Sequence, residues 1–259
     1  MPFEQSAKSA IDKSDRPSKS AAKKPQGEVL WGNAHSQNAI SAVMTLQLRV
    51  YVPPHPLIKH WLAIARNAAT PSSLFRTSMT ELGRWLTYEA IRDWLPTKDV
   101  TLETPLANCP GTFVDPEVPL AMVPILRAGL ALLDGAQTLL PLASIYHLGF
   151  VRNEATLEAS CYLNKLPDQF DPQTRVLIPE PMLATGGTII SVMEELTKRG
   201  IDPAMVRIIS VVTAPPALQK LSAAYPSLHI YTAAIDEQVN EQGFIVPGLG
   251  DAGDRTFGT

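Results

Sequence analysis

Apolar residues in the second half of the chain fall into short solid runs separated by longer stretches of helical period. The run 120–126 is followed by the turn Arg127-Ala128-Gly129 and a helical stretch at 130–140, and further runs occupy 143–150, 176–178, 206–213 and 229–233. Short solid runs predict strands buried on both faces. The stretches 187–199 and 215–224 predict helices between them. Strand, turn and helix in repetition predict an α/β fold with a mostly parallel sheet covered by helices on both faces. Ligands then bind at the carboxyl ends of the strands, so each strand-to-helix turn is a candidate site.

The first half is organised differently. Pro53, Pro54 and Pro56 hold the chain extended before Leu57, Trp61, Leu62 and Ala65, whose spacing predicts an amphipathic helix. A second helix is predicted from about Ser72 on Phe75, Met79, Leu82, Leu86 and Tyr88, with Pro96 as its stop. The stretch 97–116 reads as a loop or hairpin. Residues 1–43 show no hydrophobic period, are rich in Ser, Ala and Lys, and predict a disordered extension ahead of a single domain at 44–259. Glu4, Asp12 and Asp15 argue against an organelle-targeting peptide. Translation starting at Met44 is an alternative account of this extension.

Composition narrows the function classes. The 45% hydrophobic and 18% charged content is that of an ordinary globular protein, and a net charge of -3 gives no pull towards nucleic acid. Cys109 and Cys161 are the only cysteines, in no metal spacing, and fit a reducing interior. No apolar run reaches the roughly 20 residues that span a bilayer. The expectation is a cytoplasmic protein with neither membrane nor nucleic-acid partner.

The strongest local chemistry lies at 180–188. Gly186 and Gly187 let backbone N–H groups approach a phosphate, Thr185 and Thr188 add hydroxyls, and the helix that follows presents its positive end to the same anion. Glu180, at the end of a strand, is placed to accept from ribose hydroxyls. The alternative is a structural turn with Thr188 as helix cap.

Pro181-Met182-Leu183-Ala184-Thr185-Gly186-Gly187, together with Val-Pro-Ile-Leu-Arg-Ala-Gly-Leu at 123–130, Arg-Asn-Glu-x-Thr-Leu-Glu at 152–158 and Pro-Gly-Leu-Gly-Asp-Ala-Gly-Asp at 247–254, resembles the uracil phosphoribosyltransferase family. The likeness runs from about Leu48 to Thr259 and includes His55-Pro56-Leu57 and Thr87-Tyr88-Glu89-Ala90. It implies a type I phosphoribosyltransferase-like sheet flanked by helices, with a flexible arm at 153–165 and a C-terminal hood over the base. The implied reaction joins uracil to 5-phosphoribosyl-1-pyrophosphate, releasing diphosphate and uridine 5′-monophosphate (UMP).

The resemblance also implies residue roles. Arg127 and Arg152 match contacts to the diphosphate of the donor, a task suited to an always-charged bidentate group. Glu180, Pro181, Met182, Leu183, Ala184, Thr185, Gly186, Gly187 and Thr188 match the segment that holds the 5′-phosphate and ribose. Backbone groups of Ile245, Gly250 and Ala252 match the uracil contacts. Asp251 is the implied carboxylate for a magnesium–diphosphate, directly or through water. A homodimer or higher oligomer and a guanine nucleotide (GTP) effector are family expectations. One departure stands out: the family carries an apolar residue and Asp where this chain has Pro179 and Glu180. Two rival functions remain, a non-catalytic sensor of uridylate or the ribosyl donor and transfer to another base. Without the resemblance, the Gly-rich C-terminus reads as solvated coil.

Overall fold

The computed structural model describes residues 47–152 and 159–259; the extension at 1–43 and the arm tip at 153–158 lie outside it. The chain opens with strand β1 (Arg49–Tyr51), then helices α1 (Pro56–Arg66) and α2 (Ser72–Ile91). Strands β2 (Thr97–Glu103), β3 (Asn108–Val114), β4 (Leu120–Met122) and β5 (Ile125–Leu126) precede α3 (Leu130–Gln137). Next come β6 (Ser144–Ile145), β7 (Leu148–Arg152), β8 (Ala159–Asn164), β9 (Arg175–Pro179), β10 (Met182–Leu183) and α4 (Gly187–Lys198). The end of the chain holds β11 (Val206–Thr213), α5 (Pro215–Ala224), β12 (His229–Ile235), the short pair β13 (Gln238–Val239) and β14 (Ile245–Val246), and α6 (Ala252–Phe257).

The central sheet runs β1-β12-β11-β9-β4-β6, with β10 pairing to β11. All of its pairings are parallel. This is the α/β architecture expected from the run pattern. Every residue of β11 is buried, because the sheet is covered on both faces. Ile208 of β11 packs with Val176 and Ile178 of β9 against Val192, Met193 and Leu196 of α4 and Leu221 of α5. Ile209 and Val211 join Leu177 on the other face, against Phe75, Met79, Leu82 and Leu86 of α2. Those four α2 side chains are fully buried, and each contributes about 1.5–3 kcal/mol of hydrophobic stabilisation. Gly83 and Gly135 let α2 and α3 approach closely. A Cβ on Gly135 would stand 1.9 Å from the Thr80 carbonyl oxygen, and one on Gly83 2.2 Å from that of Leu132.

Several expectations need correction. The apolar run 120–126 is two strands in two sheets, because Pro124 interrupts the ladder by lacking an N–H. The run 143–150 divides likewise into β6 and β7, with β7 leaving the main sheet to pair with β5 and β8. The second helix ends at Ile91, short of Pro96, and the third at Gln137. The stretch 97–116 does form a hairpin, β2 with β3. The described part of the arm, β8, runs antiparallel to β7.

Chain order reverses beside β4. From β4 the chain moves outward to β6 and then returns to β9 on the opposite side of β4. A crevice opens outside the carboxyl ends of strands at such a switch point. The segment following β4 carries Arg127 and the loop following β9 carries Glu180.

Candidate active site

The loop after β9 is shaped by backbone pairing. The Glu180 N–H donates to the Ile209 carbonyl at 3.0 Å, and the Pro181 carbonyl accepts from Val211 and Val212 at 2.9 and 3.1 Å. These bonds hold the loop against β11. Glu180 is buried, and its Oε1 accepts from the Met182 N–H at 3.4 Å. Gly186 then turns the chain into α4 with φ of 77°, a left-handed conformation that favours glycine. The helix has no side-chain cap. Thr188 is its second residue and not its cap, so the first-turn N–H groups face the crevice without a capping oxygen. That arrangement suits an anion.

The turn bearing Arg127 is pressed onto the same loop. A Cβ on Gly129 would lie 2.5 Å from the Pro179 carbonyl oxygen, immediately before Glu180. The peptide bond between Leu126 and Arg127 is cis. The Arg127 guanidinium is more than half exposed and donates to Asp254 at 3.1 Å.

The C-terminal segment forms the opposite wall. Asp251 caps α6, its Oδ1 accepting from the Asp254 N–H at 2.9 Å. Because α6 starts at Ala252, the residues around Asp251 include the unpaired N–H groups of a helix start. The alternative reading of a solvated C-terminal coil does not hold, because residues 252–257 form a capped turn of helix. Ahead of it, Asn240 Oδ1 accepts from Gln242 and Phe244 N–H at 3.1 and 2.9 Å, shaping the loop between β13 and β14. Together these walls enclose a cavity of about 870 Å³, lined from one side by Glu180, Met182, Leu183, Ala184, Gly186, Thr188 and Ile189 and from the other by 241–245 and Asp251. Such a volume lies in the range of small-molecule sites, about 300–1,000 Å³.

Comparison with known proteins decides the family. The model of the family described as uracil phosphoribosyltransferase matches residues 52–259. The chain belongs to the uracil phosphoribosyltransferase family. A uracil phosphoribosyltransferase of Nostoc is 76% identical over 216 residues, covering 83% of this chain and all of the relative. The one from Nicotiana tabacum is 54% identical, covering 82% of this chain and 95% of the relative. A solved structure of a protein from Aquifex aeolicus is 36% identical with a TM-score of 0.74, covering 80% of this chain and 97% of that one.

Family membership leaves the placement of individual residues to geometry. Glu180, Met182, Leu183, Ala184, Gly186, Thr188, Ile245 and Asp251 share the cavity wall. Pro181 is buried behind it, while Thr185 and Gly187 complete the loop. Gly250 and Ala252 flank Asp251. Arg127 stands outside the lining, on the hood side, and Arg152 closes β7 with its side chain outside the described structure. Glu241, Gln242, Gly243 and Phe244 were not anticipated as wall residues. Their signal was a turn: Asn240 followed by Gly243 with φ of 84°.

The arginines that fasten the hood were also missed. Arg76 donates to the Thr256 carbonyl at 2.9 Å, and Arg255 donates to Ala65, Leu249 and Asn67 carbonyls at 2.5, 2.7 and 2.7 Å. Apart from the local bond to Leu249, these link residues 180 to 190 positions apart, which no spacing rule connects. No described helix is long and apolar enough to cross a membrane.

Proposed function

We propose that this chain transfers the 5-phosphoribosyl group of 5-phosphoribosyl-1-pyrophosphate to a ring nitrogen of uracil, releasing diphosphate and forming UMP. One observation carries the reading: the Gly-rich loop 180–188 and the C-terminal segment 245–252 wall a single cavity, which suits a phosphorylated sugar beside a flat base. The catalytic unit is 44–259, operating in the cytoplasm. The loop N–H groups and the Thr185 and Thr188 hydroxyls receive the 5′-phosphate, and Glu180 accepts from the ribose hydroxyls. Backbone groups of Ile245, Gly250 and Ala252 read the carbonyl and N–H edge of uracil.

As the bond from C1 to diphosphate lengthens, positive charge grows on the sugar and negative charge on the leaving group. Arg127 and Arg152 neutralise the latter, and the two walls hold the base in line, so no covalent nucleophile is needed. Among the described residues no cluster of three or more His, Cys, Asp or Glu forms a metal cage. Three hard carboxylates, Glu180, Glu241 and Asp251, line the cavity, a donor set that fits magnesium arriving with the diphosphate and held by Asp251 directly or through water. Magnesium would there supply charge neutralisation for the leaving group.

We also propose a homodimer or higher oligomer; the exposed Leu106, Phe113 and Val114 of the β2–β3 hairpin favour it. GTP is the proposed effector. Diphosphate release, measured separately with uracil, cytosine, hypoxanthine and guanine, with and without GTP, tests the reading. Release with uracil alone is expected. Release with a purine would replace the acceptor, and binding of UMP without release would favour the sensor.

A further inference from the structure

Asp236 sits at the carboxyl end of β12, pinned there by its own N–H, which donates to the Thr213 carbonyl at 2.8 Å. Its side chain is 5% exposed, and both carboxylate oxygens are used. Oδ1 accepts from Arg66 Nη2 at 2.6 Å; Oδ2 accepts from Arg66 Nη1 at 2.9 Å and from the Gly248 N–H at 2.9 Å. Arg66 Nη1 also donates to the Gly248 carbonyl at 2.9 Å. A bidentate pair thus grips both backbone groups of a single glycine. Gly248 in turn has no freedom towards the cavity wall. It holds φ of 57°, and a Cβ placed on it would lie 2.1 Å from the Ile245 carbonyl oxygen.

Neither Arg66 nor Asp236 lines the cavity. Both act on the turn that joins Ile245 to Asp251, the two residues of this segment that do line it. Charged, geometrically fixed hydrogen bonds of this kind are stronger than neutral ones and resist rotation of the group they hold. We propose that the Arg66–Asp236 pair positions the base-recognising backbone, setting the place of the Ile245 carbonyl and the 248–252 loop. This rests on the reading of that segment as the uracil site. The pair does not touch the donor loop 180–188, and Asp251, which meets the donor's diphosphate, is fixed separately by its cap of α6, so the effect should fall on uracil far more than on the donor. A purely structural ion pair would affect stability and leave both Michaelis constants alone.

The test measures initial rates of UMP formation for the parent chain and for Asp236→Asn, Arg66→Gln and the double variant, varying each substrate with the other saturating, and records thermal unfolding of each. Asp236→Asn keeps an acceptor for the Gly248 N–H, so it is the gentler change. If it fails to fold, Arg66→Gln decides. Each folded single variant should raise the KM for uracil about tenfold or more while the donor KM stays within about twofold. The double variant should be little worse than the worse single one, since either change breaks the same grip. A uracil KM within about twofold of the parent in a folded variant, or equal rises in both KM values, would overturn the proposal. If the parent itself shows no saturable dependence on uracil, the base-site reading fails, and the pair's role with it.

Discussion

The guanidinium of Arg127, on the turn after β5, donates to the carboxylate of Asp254 in α6, 127 residues later, at 3.1 Å. Both side chains are at least half exposed. An exposed pair of this kind stabilises by about 0–1 kcal/mol, so Arg127 can leave Asp254 for a diphosphate at small cost. Arg127→Ala should therefore lower kcat about 100-fold or more while thermal unfolding shifts by about 1 kcal/mol or less. Normal UMP synthesis by this variant would remove Arg127 from the machinery.

Glu180 differs from the Asp that the resemblance leads one to expect. Its longer side chain reaches the Met182 N–H from a buried position, so the carboxylate shapes the loop as well as facing the cavity. Shortening it by one methylene in Glu180→Asp should weaken donor binding, raising its KM about three- to tenfold. A large fall in that KM would instead mark Glu180 as a handicap.

The close approach of α2 and α3 depends on missing side chains. A methyl group at Gly135 or Gly83 would meet backbone oxygen, which cannot rotate away. Gly135→Ala should destabilise the fold by about 1–3 kcal/mol or more, seen as a lowered Tm. An unchanged Tm would show that the helix pair can part without penalty.

His229 lies in register with Arg49 on one side and Arg207 on the other. Burial, and then the charges of Arg207 and Arg49, hold its imidazole pKa below 6.5, with Asp93 opposing them. Between that lowered pKa and 6.5 the unfolded chain binds more protons than the folded one, so stability falls as pH drops through 6.5. His229→Gln should flatten the loss in that window, and unfolding curves from pH 7.5 to 5 check it. An equally steep loss in the variant would place its origin elsewhere.

Much of the sheet was legible because burial on both faces writes itself as solid apolar runs. Val206–Thr213 is the clearest instance. The edge strand Arg49–Tyr51 was not legible, since three half-exposed residues make no run. Helix Ala252–Phe257 has six residues and a glycine within it, too few for a period. The loop 180–188 could be read locally because glycines, threonines and a helix start adjoin in sequence. Arg66 and Asp236 could not, because their meaning arises only where β12 ends beside α1.

The central claim is acceptor choice by a phosphoribosyl transfer site. The most direct measurement is chromatography of the products formed when the chain acts on equimolar uracil and hypoxanthine with 5-phosphoribosyl-1-pyrophosphate and magnesium. UMP as the sole nucleotide product is predicted; inosine monophosphate, or no nucleotide at all, would contradict the account.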